Sequence, residues 1–195
     1  MSLNINITPN TKTLYIILPG VSQSVHTGLL DAVQNRLRLA SRTYLSVSFP
    51  FQDKGLDAPE SADSSIEMQE VVNGIARVSE DFIFEKVVII GKSYGAFIAA
   101  KLTGHIKDVF KCAIEFHVLG YIFDPVLEFS EDAYERVVVY QGELDRFGTG
   151  DAVKEKLPFA TVHRIANADH SYRNERKEFE HEGKVLDLLF SEITL

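Results

Sequence analysis

The chain has 195 residues, 45% hydrophobic and 25% charged, with 12 Gly, 6 Pro and no Trp, which is the composition of one ordinary globular domain spanning residues 1–195. A single Cys112 excludes an internal disulfide and any cysteine-built metal site. The formal charge of −8 lacks the basic excess that a nucleic-acid surface requires, and no apolar run approaches the roughly 18 residues of a membrane span.

Residues 1–8 are polar and alternating, without a basic start or an apolar stretch, so no secretory leader is expected and a cytoplasmic setting is. Within them Leu3, Ile5 and Ile7 suit an edge strand with one wet face. Residues 14–18 form a continuous apolar run that Pro19-Gly20 ends. Leu29, Leu30, Val33 and Leu37 share a helical face. Residues 44–49 predict a strand stopped by Pro50, and the polar stretch 52–65 a loop leading into a helix. That helix carries Val71, Ile75, Val78 and Phe82 on one face, with Ser64 and Glu67 spaced as a capping box.

Residues 87–90 are β-branched throughout and stop at Gly91; residues 94–102 are rich in alanine, as a helix packed tightly on a sheet should be. Residues 110–118 alternate, with Phe110, Cys112, Ile114, Phe116 and Val118 on one side. Residues 137–140 form a strand ended by Gln141-Gly142, residues 161–165 the last strand, and Phe179, Leu186, Leu189 and Phe190 the stripe of a C-terminal helix. Unbroken Val/Ile runs indicate strands covered on both faces, and strand alternates with helix. The expected class is α/β, a three-layer α/β/α sandwich around a mainly parallel sheet of about six to seven strands. Ligands in such sheets bind at the carboxyl ends of the strands.

Gly91-Lys92-Ser93-Tyr94-Gly95 joins the strand 87–90 to the helix 94–102. This is a Gly-x-Ser-x-Gly nucleophile elbow in the strand–turn–helix context it needs. The sharp turn lifts the serine above the sheet, and the flanking glycines let strand and helix approach. The serine also meets the free N–H groups of a helix start, which favour developing negative charge. A glycine-rich turn without catalysis is the bland alternative. The embedded Gly-Lys-Ser does not make a P-loop, because Lys86 stands where that motif needs its first glycine.

A serine hydroxyl needs a base, and the base an acid that orients it. After Ser93 the chain offers Asp145, in Gly142-Glu143-Leu144-Asp145, and then His170, in Ala168-Asp169-His170, each just past a strand. Asp124 is the rival acid, and Asp169 could brace the loop of the base. Of the other histidines, His26, His105 and His181 are expected to face water, and His117 and His163 to be structural parts of strands.

With Leu18-Pro19-Gly20-Val21 after the early strand, Gly-Lys-Ser-Tyr-Gly, Gly142-x-x-Asp145 and Ala168-Asp169-His170 in this order, the chain resembles a small capless member of the α/β-hydrolase superfamily, near the dienelactone-hydrolase-like proteins. The likeness runs from Leu14 to the C-terminal helix. It implies an α/β-hydrolase fold without a cap domain, Ser93 as nucleophile, His170 as general base and then acid, and Asp145 as orienting acid. It also implies an oxyanion hole from the backbone N–H groups of Tyr94 and Val21. Many relatives carry His-Gly where this chain has Pro19-Gly20.

No metal or dinucleotide motif is present: His181-Glu182 lacks a second histidine four residues on, and no Gly-x-Gly-x-x-Gly follows a strand, so no cofactor is expected. Lys92, next to the serine, is either a flank of the pocket or, the preferred reading, a plain surface lysine, and Cys112 reads as a buried, inert thiol. The interval 119–136 is too short for a lid; Gly20, Tyr121 and Phe123 are candidates to contact substrate, with Val126-Leu127 adding apolar wall. The expected partner is a small-molecule acyl substrate, an ester or thioester. A non-catalytic binding protein on the same fold and an acyltransferase stand as alternatives.

Overall fold

The computed structural model describes residues 3–21, 28–59, 63–123, 129 and 131–193. Among them seven strands form one sheet: β1 (Leu3–Asn6), β2 (Thr13–Leu18), β3 (Thr43–Val47), β4 (Lys86–Lys92), β5 (Ala113–Leu119), β6 (Arg136–Gly142) and β7 (Thr161–Ile165). Their order is β1-β3-β2-β4-β5-β6-β7. All pairs are parallel except the edge pair β1 and β3, where Leu3 faces Val47 and Asn6 faces Tyr44. The edge strand expected from alternating Leu3 and Ile5 is therefore present, with both side chains packed on the core.

Alternation along each strand splits the core into two layers. From β2, Leu14, Ile16 and Leu18 point to one face and Tyr15 and Ile17 to the other. On the first face lie α3 (Ser65–Ser79), α4 (Tyr94–Lys101), α5 (Thr103–Phe110) and α6 (Gly150–Lys156), through Val71, Ile75, Ala96, Ala99, Ile106 and Val153. The second face is covered by α1 (Gly28–Leu39), whose Leu29, Leu30, Val33 and Leu37 are all buried, and by α7 (Glu182–Glu192). A short α2 (Pro50–Asp53) follows β3, with Pro50 in its first turn, where a missing N–H costs nothing.

Three local expectations are corrected. The strand predicted over 110–118 begins at Ala113, because α5 runs through Phe110 and closes on Lys111 in the left-handed region at φ 50°. Phe110 and Cys112 still pack against the core. The Ser64–Glu67 capping box does not form. Ser64 is not extended, its hydroxyl faces the Met68 sulfur at 3.7 Å, and the Asp63 carboxylate takes the Ser65 N–H instead, at 3.0 Å. Phe179 lies before α7 and is exposed rather than part of its stripe.

Candidate active site

β4 ends in Lys92, and the chain reverses into α4 through Ser93, whose backbone sits at φ 49°, ψ −111°. A serine with positive φ is strained, and strain of this kind persists only where the surroundings over-determine it. Here the Ser93 N–H donates to the Leu119 carbonyl at the end of β5 (3.1 Å), while its carbonyl accepts from Ala96 and Phe97 in the first turn of α4 (2.9 and 3.2 Å). A Cβ on Gly91 would stand 2.6 Å from the Ala96 Cα, and one on Gly95 would stand 2.5 Å from the carbonyl oxygens of both Leu18 and Pro19. The two glycines are thus demanded by close approach: one of the strand to its own helix, the other of the helix to the loop after β2.

His170 Nε2 lies 2.8 Å from Ser93 Oγ, and its Nδ1 lies 2.7 Å from Asp145 Oδ2. Asp145 has a wholly buried side chain and is held by more than the histidine. Its Oδ2 also accepts from Gln141 Nε2 (2.9 Å), and its Oδ1 accepts from the Phe147 N–H (2.8 Å). Gln141, buried at the end of β6, further donates to the Gly148 carbonyl (2.7 Å) and accepts from the Tyr121 N–H (2.7 Å), so the acid is fixed before the histidine meets it.

The loop that carries His170 is braced independently. Asp169 Oδ1 accepts from the Ser171 and Arg173 N–H groups (2.9 and 3.0 Å), and its Oδ2 meets Arg173 Nη2 and Lys177 Nζ at 3.0 and 3.4 Å. Burial opposes ionisation of Asp169, but the Arg173 and Ser171 donors outweigh it and hold its carboxyl below the usual range. Tyr172, fully buried at φ 60°, donates its hydroxyl to the Tyr140 carbonyl at 2.8 Å. Beneath the loop, Lys92 Nζ donates to the His170 carbonyl (2.6 Å) and lies 5.0 Å from the Tyr172 ring centroid.

Lys92 is therefore not the surface lysine expected: it is 3% exposed. Two faces of its neighbourhood explain this: the Tyr172 ring and a backbone carbonyl replace water around the ammonium. Burial lowers its pKa to about 8, against the carboxylates of Asp145, Asp169 and Glu182, which raise it. Burial likewise takes His170 below its ordinary value of 6.5; the Asp145 contact opposes this, and the charges of Lys92 and Arg146 reinforce it.

A cleft of about 340 Å³ opens over Ser93 and His170, lined by Gly20, Val21, Leu144, Arg146, Phe147 and Arg173 among others. Gly20 and Val21 thus line the cleft beside Ser93. The backbone N–H of Tyr94 starts α4, while its ring packs away from the cleft among Phe49, Phe51 and Phe97. Neither the Tyr94 nor the Val21 N–H donates to a described residue.

Tyr121 is corrected as a substrate contact: it is 1% exposed, because its N–H is held by Gln141 and its ring packs against Phe123 and Phe129 in the core. Phe123 covers Gly148 and is partly exposed, but it does not line the cleft. Phe147 takes the place intended for it, with its ring edge-on to His170 at 4.7 Å between centroids. The rival acid Asp124 lies outside the described residues, as do His26 and Val126-Leu127. His105 is exposed as expected, His117 and His163 sit on strands with Tyr140 and Glu192 as partners, and His181 is half-buried rather than facing water. Gln141, Arg146 and Phe147 escape a sequence reading, while Arg173 and Lys177, spaced among Glu175 and Glu178, read there as an ordinary solvated helical face and instead lie on a non-helical loop with Asp169 as their partner. Of the first three only Gln141 leaves a trace in the sequence, as a polar residue closing an apolar strand.

Among the described residues no cluster of His, Cys, Asp and Glu could hold a metal ion, and no helix is long and apolar enough to cross a membrane. No curated protein matches the sequence. Solved structures do. A protein of unknown function from Agrobacterium tumefaciens superposes with a TM-score of 0.68 at 14% identity, covering 97% of this chain and 90% of that one. An α/β serine hydrolase without lid from Xanthomonas campestris gives 0.66 at 14% identity, over 99% and 89%. Est1E from Butyrivibrio proteoclasticus with ferulic acid bound gives 0.64 at 14% identity, over 98% and 93%. Identities this low speak for the fold alone. A family model reaches further, matching residues 16–194, and by it the chain belongs to the alpha/beta hydrolase domain family.

Proposed function

We propose that the protein is a serine hydrolase acting on a small ester or thioester through an acyl-enzyme. One observation carries the reading: Ser93 Oγ stands 2.8 Å from an imidazole nitrogen whose partner nitrogen is 2.7 Å from a buried carboxylate. Ser93 Oγ attacks the substrate carbonyl carbon as its proton passes to His170 Nε2. The tetrahedral oxyanion is held by the N–H groups of Tyr94 and Val21. The bond to the leaving group then breaks, and that group takes the proton from His170. Water repeats the sequence on the acyl-enzyme, releasing the acid and restoring Ser93. Because burial, foremost, lowers the His170 pKa, the imidazole is neutral and able to accept a proton at pH 7 and somewhat below.

A fluorophosphonate probe tests this. Labelling is expected at Ser93, located by mass spectrometry, and absent from Ser93→Ala and His170→Ala. The pH at which its rate has fallen to half should lie below the 6.5 of an ordinary histidine, since burial disfavours the protonated His170 that no longer serves as base. A folded protein that stays unlabelled would favour a non-catalytic binding role.

The small open cleft suits a short acyl group, and its charge favours an anionic one. Four cations, Lys92, Arg146, Arg173 and Lys177, surround a site whose carboxylates are Asp145 and Asp169, in a chain of net charge −8. Arg173 and Lys177 share Asp169, whereas Arg146 rests on the Phe147 ring, 4.7 Å from its centroid, with no carboxylate partner among the described residues. Ferulic acid, bound to the Butyrivibrio protein, is itself a carboxylic acid, the product class of ester cleavage. Arg146→Gln should lower kcat/KM for p-nitrophenyl hydrogen succinate about tenfold, the worth of one hydrogen bond to a charge, and leave p-nitrophenyl butyrate nearly unchanged. Equal effects on both esters would remove the charge preference.

A further inference from the structure

The loop after β2 is expected to supply an oxyanion donor, yet it lacks the His-Gly of many relatives. Its conformation is set from outside. Gln52, in α2, donates from Nε2 to the Gly20 carbonyl at 2.8 Å. The other end of the same amide, Oε1, accepts from the Phe49 N–H at 3.2 Å, and the Gln52 N–H returns to the Phe49 carbonyl at 2.9 Å. Gln52 thus completes the cap of α2 on one side and reaches across to the catalytic edge on the other.

The Gly20 carbonyl and the Val21 N–H belong to one peptide unit. No peptide bond in the described chain is cis, so the two point in opposite directions from a rigid plane. Fixing the carbonyl towards Gln52 therefore fixes the N–H away from it. Gly20 approaches the nucleophile so closely that a Cβ there would stand 3.6 Å from the Ser93 Cβ, and Val21 lines the cleft beside Ser93. Below, the carbonyls of Leu18 and Pro19 rest on Gly95, which blocks the loop from sinking towards α4. Among the described residues, the Gln52 amide is the hydrogen-bond partner that sets the rotation of the Gly20–Val21 peptide.

We infer that Gln52 is a positioning residue of the oxyanion hole, acting on the transition state through the Gly20–Val21 peptide without touching substrate. The inference rests on the serine hydrolase reading given above. It distinguishes two substitutions. Gln52→Glu keeps an oxygen for the Phe49 N–H and so keeps the cap, but sets a carboxylate oxygen against the Gly20 carbonyl. Gln52→Leu removes both contacts.

The experiment uses the full chain with p-nitrophenyl acetate as substrate and phenylboronic acid as inhibitor, whose tetrahedral adduct on Ser93 places an oxygen in the same hole. Gln52→Glu should lower kcat roughly 10- to 100-fold with KM nearly unchanged, short of the ~10²–10³ that deletion of a donor costs. Boronate affinity should weaken in parallel, and the melting temperature should stay close to that of the wild type. Gln52→Leu should show the same kcat loss and, in addition, a lower melting temperature. An active wild type whose Gln52→Glu variant keeps kcat within twofold, or loses kcat without losing boronate affinity, overturns the role of Gln52 alone. A wild type that neither takes the fluorophosphonate nor turns over ester overturns the hydrolase reading and this inference with it.

Discussion

Replacing Asp145 with alanine should lower kcat for a p-nitrophenyl ester by about 10⁴-fold while KM changes little. The size follows from what Asp145 holds. Its Oδ2 sits 2.7 Å from His170 Nδ1, which keeps the proton on that nitrogen and leaves Nε2 bare towards Ser93. Without it the imidazole is free to take the other tautomer, which has no lone pair for the serine proton, and the imidazolium of the proposed reaction loses its counter-charge. Alanine also takes from buried Gln141 Nε2 one of its acceptors, leaving it the Gly148 carbonyl, and from the Phe147 N–H its partner. Stability should therefore fall by about 1–3 kcal/mol, visible in a urea titration as a lower midpoint. Steady-state kinetics on the folded fraction separates the two effects. A loss of less than tenfold would dismiss Asp145 as the orienting acid.

Gly95→Ala should be among the most damaging single-methyl changes in the molecule. The new Cβ would stand 2.5 Å from two carbonyl oxygens, of Leu18 and Pro19, and neither can yield as a flexible side chain would. Leu18 is the last residue of β2, paired with β4 through Gly91, so relief must come from displacing α4 or the loop before Val21. The expected cost is about 3 kcal/mol or more. In a chain of 195 residues that corresponds to a fall of roughly 10 °C in melting temperature. Activity should collapse further than stability, because the same shift moves Ser93 relative to both proposed oxyanion donors. Calorimetry and turnover at a temperature where the variant is folded would check both parts. A variant with wild-type melting and turnover would contradict the close approach.

The elbow was legible in the sequence because its physics is local: two glycines and a serine at fixed spacing, between a β-branched run and an alanine-rich one. The positions of Asp145 and His170 were legible for a topological reason. Consecutive parallel strands bring their following loops to one edge, so residues just past β6 and β7 meet a residue just past β4. Gly142 belongs to the same logic, since a Cβ there would collide with the Ala168 carbonyl as the His170 loop crosses β6. What escaped depends on partners distant along the chain. Lys92 is adjacent to Ser93, yet its burial is decided by Tyr172 and the His170 carbonyl. Tyr121 is withdrawn from the cleft by Gln141, and Gln52 reaches Gly20 across 32 residues. The missing capping box failed for a nearer reason: Asp63, one residue earlier, competes for the same helix start.

The buried ammonium of Lys92 sets the demands of stability against those of the His170 loop. Its pKa falls from 10.5 to about 8, mainly through burial, so below pH 8 it is charged in both the folded and the unfolded chain. Throughout that range the folded state bears a penalty on the order of 3 kcal/mol, which fades as pH rises from 8 towards 10.5 and both forms lose the proton. An apolar residue there would lift the penalty and release the histidine's carbonyl together. Stability and the anchoring of the His170 loop thus place opposite demands on one position, and an apolar substitution that raises the melting point should loosen that loop.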